Sequence, residues 1–279
     1  PLAKRVVRLA DLGDSKTGIE KPRFYEAPTV TVHDVGAERF ILVNVASGDR
    51  SSPLDVIDTT KGGQGKTRSA DNAVYGIIDR DVARTDLYTM ADSSLQTKDL
   101  KLASLLANPK TSGKTQGDML GAARTGRSEG WYYPLAGTLK KGSLKGYGEM
   151  IAINGDLYVN VYNPEVQATN NDCSAQVVGE TVVRRYCLPF GLDNGSSCTV
   201  PTEGYYGFRL GKGMLEASLG PTVSSSKINS ETRQLIFQDP NRKQDDKGTP
   251  GQLRQFSTPK GLVSTRWFER QPKVSRPSK

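Results

Sequence analysis

Histidine is almost missing from this sequence: His33 is the only one in 279 residues. That excludes a histidine-rich zinc site and leaves any Ser–His–Asp triad dependent on one side chain. Long apolar runs are missing as well. No segment approaches the ~18–20 consecutive apolar residues that span a bilayer, so no transmembrane helix is expected. Apolar residues make up only 35% of the chain, below the roughly 45–50% of average usage counted with glycine. The chain opens on Pro1, with no charged n-region and apolar h-region behind it, which predicts a processed start or a piece of a longer chain. Cysteine is sparse and odd in number: Cys173, Cys187 and Cys198 fall within one 26-residue stretch. At least one of them lacks a partner inside this segment. Their clustering in a loop-rich region favours a local disulfide and an oxidising compartment.

What is plentiful is glycine (29), proline (15) and positive charge, with 38 Lys+Arg against 30 Asp+Glu for a formal +8. Basic residues are scattered apart from the pairs Arg184-Arg185 and Lys140-Lys141. With no nucleic-acid motif present, the excess reads as a general surface property and no nucleic acid is expected as a partner. Between the Gly, Pro, Asn and Asp punctuation lie β-branched and aromatic runs, so the chain is read as all-β. Phe24–Val32 carries Pro28, which suits an edge position or a strand start. Val35–Glu38 reads as a turn, and Arg39–Ala46 as an inner strand buried on both faces. Ala73–Asp79 is a short strand. Glu149–Val161 contains Asn154-Gly155 between two apolar alternations, a strong hairpin signal because both residues tolerate positive φ. Thr181–Leu188, Tyr205–Leu210, Arg233–Phe237 and Leu262–Phe268 supply further strands.

The order of pre-strand, turn, long apolar strand, polar loop and Tyr-containing strand occurs at Phe24–Asp79 and again at Tyr147–Gly191. Val43 matches Val159 at an offset of 116 and Tyr75 matches Tyr186 at 111. A multi-stranded unit recurring along an all-β chain points to propeller blades, with material for roughly three, too few to close a ring. Leu95, Leu102, Leu105 and Leu106 lie near helical spacing, with Ser93 or Ser94 to cap and Asn108-Pro109 to stop, which predicts one inserted helix over Asp92–Ala107. Thr59–Asp71, Ser218–Lys227 and Asp239–Gly251 read as long loops, and residues 271–279 as a basic tail.

Few motifs carry chemistry. Lys61-Gly62-Gly63-Gln64-Gly65-Lys66-Thr67 matches the deviant phosphate-binding loop of ParA/MinD-like ATPases, whose glycines wrap phosphates in backbone N–H groups. Such a loop must follow a parallel strand and open a helix, whereas a strand-like run follows here. A solvated loop is the favoured reading, with a deviant Walker-type ATPase as the alternative. Asp239–Asp246 approaches calcium-loop spacing but places Lys243 where a ligand belongs. His33 beside Asp34 reads as a turn-exposed pair with no catalytic role. A strand over Val178–Cys187 would extend about 30 Å at ~3.3 Å per residue, too far for Cys173 to bridge to Cys187. Cys187 and Cys198, with ten residues between them, are therefore the expected structural disulfide. Neither catalytic nor cofactor- or metal-binding residues are expected in this segment, and no enzymatic activity.

The strand motifs, taken in order, resemble the PilC/PilY family of type IV pilus-associated tip adhesins. The resemblance rests on Phe24-Tyr25-Glu26-Ala27-Pro28-Thr29-Val30, on Phe40 through Arg50, and on Val74-Tyr75-Gly76-Ile77-Ile78-Asp79-Arg80. It continues through Gly148-Glu149, Asn154-Gly155-Asp156-Leu157-Tyr158-Val159, Tyr162-Asn163-Pro164 and Cys173, and ends at Ser264–Glu269. Cys187-Leu188-Pro189-Phe190-Gly191 is most similar to the PilC branch of Neisseria-like bacteria. The resemblance implies that residues 1–270 are part of a modified β-propeller in the C-terminal half of a large exported protein of the pilus tip and outer membrane. It implies pilus assembly by opposing retraction and attachment to host cells, with minor pilins and a host-cell surface receptor as partners. The family's calcium loop would lie upstream of Pro1, and no residue here matches it. An Arg-Gly-Asp motif is absent from the sequence. Beside adhesion stands the reading of a secreted propeller that binds acidic glycans through its basic excess.

Overall fold

The computed structural model of the chain describes residues 8–13, 22–54, 72–81, 86, 89, 100–120, 128–135, 144–153, 155–166, 178–192, 208–219, 223–224, 230–236 and 252–259. In chain order the strands are β1 (Ala10–Asp11), β2 (Thr29–Val35), β3 (Glu38–Ala46), β4 (Ala73–Asp79), β5 (Leu100–Lys101), β6 (Leu106–Ala107) and β7 (Gly130–Pro134). Then follow β8 (Lys145–Ile153), β9 (Asp156–Asn163), β10 (Glu180–Cys187), β11 (Phe208–Lys212), β12 (Ser218–Leu219), β13 (Val223–Ser224), β14 (Ser230–Ile236) and β15 (Gln252–Pro259). The one α-helix among the described residues, α1, is a single turn over Gln116–Leu120. The fold is all-β with blade-like sheets and long loops, as the sequence led us to expect.

Among the described residues three larger sheets follow one another along the chain, and β1 pairs parallel with β5 as a small fourth. The first is ordered β2-β3-β4-β7-β6, the second β11-β10-β9-β8, and the third groups β12 and β13 on one side of β14 with β15 on the other. β2, β3, β4 and β7 pair antiparallel in sequence order, and β8 to β11 do the same. The hairpin from β2 to β3 turns at Gly36-Ala37, where Gly36 has φ 62°. Glycine at the first central position supplies the positive φ that a tight turn between twisted strands requires.

Alternation decides how the sheets stack. Along β3 the even-numbered side chains Phe40, Leu42 and Ala46 face the second sheet, and along β9 the odd-numbered Leu157, Val159 and Val161 face the first. These six share one core with Val74, Ile78, Trp131 and Phe190. Fully burying an aliphatic or aromatic side chain contributes roughly 1.5–3 kcal/mol each, so this interface is the main stabilising contact between the two sheets. The reverse face of the second sheet carries a smaller core of Tyr158, Val183, Leu210 and Ala217. The reverse face of the first carries Tyr75, Ile77 and Leu105, with Leu9, Leu12, Leu100 and Leu102 packed on it.

Several expectations change. Residues 100–107 form β5, a 3-10 turn over Leu102–Ser104 and β6 instead of the end of a helix over Asp92–Ala107; residues 92–99 lie outside the described residues. The leucines that suggest helical periodicity serve two cores: Leu100, Leu102 and Leu105 pack on one face of the first sheet, Leu106 against the other. Strand β7, unanticipated in the sequence, puts Trp131 at the centre of the main core. β15 was also unanticipated, and the stretch read as a loop over Ser218–Lys227 includes the short strands β12 and β13. Arg39–Ala46 is an inner strand, but its odd-numbered face is only half-buried. Val43 and Val159, 116 apart in the sequence, both lie on the second strands of their sheets, β3 and β9, but the hairpins before them close at Val35–Glu38 and Ile153–Asp156, and Tyr75 and Tyr186 do not correspond. Val45 pairs with Tyr75 and Val161 with Val182, so Val182 occupies the place of Tyr75, while Tyr186 stands opposite Leu157.

Candidate binding surface

The loop that leaves β3 and the segment that enters β2 come together as a polar cluster. Tyr25, Glu26, Asp49 and Arg50 belong to Phe24–Val30 and Phe40–Arg50, two of the motif segments, and Arg23 and Ser51 flank them. Gly48 N–H donates to the Arg23 carbonyl at 2.9 Å, tying the two chain segments side by side. The buried Asp49 carboxylate organises the rest. Its Oδ1 accepts from Ser51 Oγ at 2.6 Å, from Ser51 N–H at 3.0 Å and from the Tyr25 hydroxyl at 3.1 Å. Its Oδ2 lies 3.1 Å from the Arg23 guanidinium. Burial alone would push the Asp49 pKa up, but the Ser51 and Tyr25 hydroxyls, the Arg23 charge and the Ser51 N–H together outweigh it and hold the carboxyl below its ordinary value.

Around this buried anchor Tyr25, Arg50 and Glu216 are exposed and Glu26 is partly buried. Arg50 pairs with Glu26 at 2.8 Å and reaches Glu216 at 3.9 Å, so the loop after β3 meets the segment after β11 at this edge. Phe24 and Tyr25 are exposed large side chains of the same segment. Tyrosine and arginine held on a rigid loop lose little conformational freedom when they dock on another protein. The arrangement can bind a polar surface; among the described residues no group of three or more His, Cys, Asp or Glu is placed to hold a metal ion.

A second tie underlies the main core. Arg80, at the end of β4, donates to Glu38 Oε2 at 3.0 Å, to Glu129 Oε2 at 2.8 Å and to the Met119 carbonyl at 3.0 Å, and its guanidinium lies 5.9 Å from the Phe40 ring centroid. It joins β3, β4, α1 and the approach to β7.

The residues singled out in the sequence fall apart from this cluster. Cys187 is fully buried at the end of β10 and is disulfide-bonded, while Cys173 and Cys198 lie outside the described residues. Lys61–Thr67 and Asp239–Asp246 also lie outside them. The strands on either side of Lys61–Thr67, β3 and β4, pair antiparallel, which is not the parallel strand-to-helix setting that a phosphate-binding loop needs. His33 is not a turn-exposed partner of Asp34. Within β2 the two point to opposite faces: His33 is half-buried, stacked on Phe40 with centroids 5.8 Å apart and hydrogen-bonded to Thr31 Oγ1 at 2.8 Å, while Asp34 is exposed and pairs with Arg39. The Asp49 cluster was missed as a site. Its only signal in the sequence is Gly48-Asp49-Arg50-Ser51 directly after a strand, an Asx-turn pattern that also occurs in ordinary loops.

No protein-family model and no characterised protein matches the chain by sequence. In structure the chain is similar to the crystal structure of the PilY1 C-terminal domain of Pseudomonas aeruginosa, with 13% sequence identity and a TM-score of 0.43. The match covers 81% of this chain and 45% of that one, so the chain spans less than half the length of the structure it matches. No helix among the described residues is long and apolar enough to cross a membrane.

Proposed function

We propose that this chain is part of a non-enzymatic, pilus-tip-associated adhesin and pilus-assembly factor that binds through loops carried on stacked sheets. The observation that carries the reading is that the segments resembling the PilC/PilY family supply most of β3, β4 and β9, inner strands of the first two sheets, together with Tyr25, Glu26, Asp49 and Arg50 of the Asp49 cluster. In this reading Tyr25, Glu26, Arg50 and Glu216 meet a protein partner, a minor pilin of the tip or a host-cell receptor. The chain works outside the cell, at the pilus tip and outer membrane. The segment uses no cofactor of its own, and calcium belongs to a loop upstream of Pro1. Cys187 pairs with Cys198 as a staple at the end of β10.

The test is genetic. A piliated strain carrying the full protein with this segment deleted should lose pili or attachment, and Arg50→Ala with Tyr25→Ala should lower attachment while pili remain. Unchanged piliation and attachment in the deletion strain would reject the reading. Binding of acidic glycans is less favoured because Arg23, Arg50 and Arg39 are each held by a carboxylate. Retention on an anionic polysaccharide column that falls with added salt would restore that alternative.

A further inference from the structure

A shift of 116 residues in the sequence matches Ile41, Val43 and Val45 on the second strand of the first sheet with Leu157, Val159 and Val161 on that of the second. In the second sheet this row is fully covered, because the first sheet lies on it. In the first sheet the same row is covered only in part. Leu9, Leu12, Leu100 and Leu102 pack towards its β4 side. Beside them runs a groove of about 400 Å³ with Val43, Val45 and Ile77 in its wall and Phe24 and Pro28 at its flank. Towards edge strand β2 the face opens to solvent, with Val30 55% and Val32 70% exposed. A row of exposed valines on an edge strand is a surface suited to receive another sheet.

The chemistry at the rim says which sheet. Beyond Val32 the face ends in the exposed pair of Asp34 and Arg39, 2.6 Å apart. The register sets Val30 opposite Val43, Val32 opposite Ile41 and Asp34 opposite Arg39. A twofold axis laid along the strands between β2 and β3 therefore places each residue over the cross-strand partner of its counterpart. Apolar rows meet apolar rows, and each carboxylate meets a second guanidinium. The face is complementary to itself, which is the requirement of an isologous contact.

We propose that the Val30–Val32–Ile41–Val43 face, rimmed by Asp34 and Arg39, is a self-association surface whose occupant is a second copy of this chain. The proposal concerns the 279-residue chain by itself; in the reading of a larger propeller a neighbouring sheet of the same protein competes for this face.

Sedimentation equilibrium of the 279-residue chain tests it. The expected result is a monomer–dimer equilibrium whose Kd rises at least about tenfold in Val32→Lys, and rises likewise in Asp34→Arg or Arg39→Asp alone. The double exchange of Asp34→Arg with Arg39→Asp restores the dimer, because it regenerates the pairs both within and between copies. These positions are exposed in the single chain, and matched thermal unfolding of each variant separates loss of association from loss of folding. A monomer at every concentration overturns the proposal and leaves the face to another occupant. A dimer indifferent to Val32→Lys overturns it as well.

Discussion

At the residue scale, the tightest constraint is the contact between Gly76 and Trp131. A Cβ built on Gly76 would run into the Trp131 indole, and Trp131 in turn donates its Nε1–H to the Pro189 carbonyl at 2.7 Å. Glycine is needed here for space and not for a positive φ. Gly76→Ala should therefore destabilise by about 1–3 kcal/mol through overpacking, and Trp131→Ala by about 3–5 kcal/mol through the cavity it leaves. Denaturant midpoints at unchanged slope would measure both. The lone histidine gives a second prediction. Burial of His33 holds its pKa below the ordinary 6.5, so the unfolded chain binds more protons than the folded one just under that value. Stability is then fully present above about 6.5 and is lost as pH falls through the window down to the folded-state pKa. Unfolding midpoints for His33→Gln should show a shallower fall across that window than those of the parent. Equal slopes would mean that another group carries the dependence.

At the scale of elements, local signals located the strands well wherever alternation and turn residues agreed. β4 spans Ala73–Asp79, the range expected from its β-branched run, and β8 and β9 flank Gly155, whose φ of 78° fits the hairpin reading. The failures share one cause. Leu100–Ala107 reads as a helix because leucine spacing records burial but not the partner against which each residue is buried. β7 is hidden because Gly130-Trp131-Tyr132-Tyr133-Pro134 has no alternation: Trp131 and Tyr133 pack towards the second sheet, and Tyr132 stacks with Tyr75 on the other face. Arg80 shows how separate elements are then locked together. Replacing it with Met removes charge-assisted bonds to Glu38 and Glu129 from a largely buried setting and should cost about 1.5–3 kcal/mol. Arg80→Lys should recover only part of this, since an ammonium cannot reproduce the planar fork of donors. Thermal unfolding of the two variants side by side checks both statements.

At the scale of the whole molecule, the cysteines and the stacking of sheets matter most. The disulfide at Cys187 anchors the end of β10 beside the main core. With the proposed Cys187–Cys198 pairing, non-reducing peptide mapping should recover that pair, and its removal should lower stability by roughly 2–4 kcal/mol. Recovery of Cys173 linked to Cys187 would refute the proposed pairing. Stacking makes the two faces of a sheet unequal: each inner strand carries one row for the sheet that follows and one for whatever lies on the other side. The Asp49 cluster sits at a junction of this stack, where Arg50 of the first sheet's loop meets Glu216 beyond β11. A loop cluster shared between sheets keeps its shape only while the stack does, so Trp131→Ala should weaken attachment along with stability, whereas Arg50→Ala should weaken attachment alone.

By itself the sequence determined the all-β character, the turn at Gly36 and the hairpin at Gly155. These follow from period-two alternation and from residues that tolerate positive φ, and both act over a few neighbours along the chain. Only the tertiary structure decided that Val182 and not Tyr186 answers to Tyr75, that His33 and Asp34 part to opposite faces, and that Asp49 gathers Arg23, Tyr25 and Ser51. It also decided that Val43 and Val45 border an open groove while Val159 and Val161 are sealed. The physical reason is that burial depends on which surface arrives from elsewhere in the chain, and two strands of the same pattern are alike until one of them is covered.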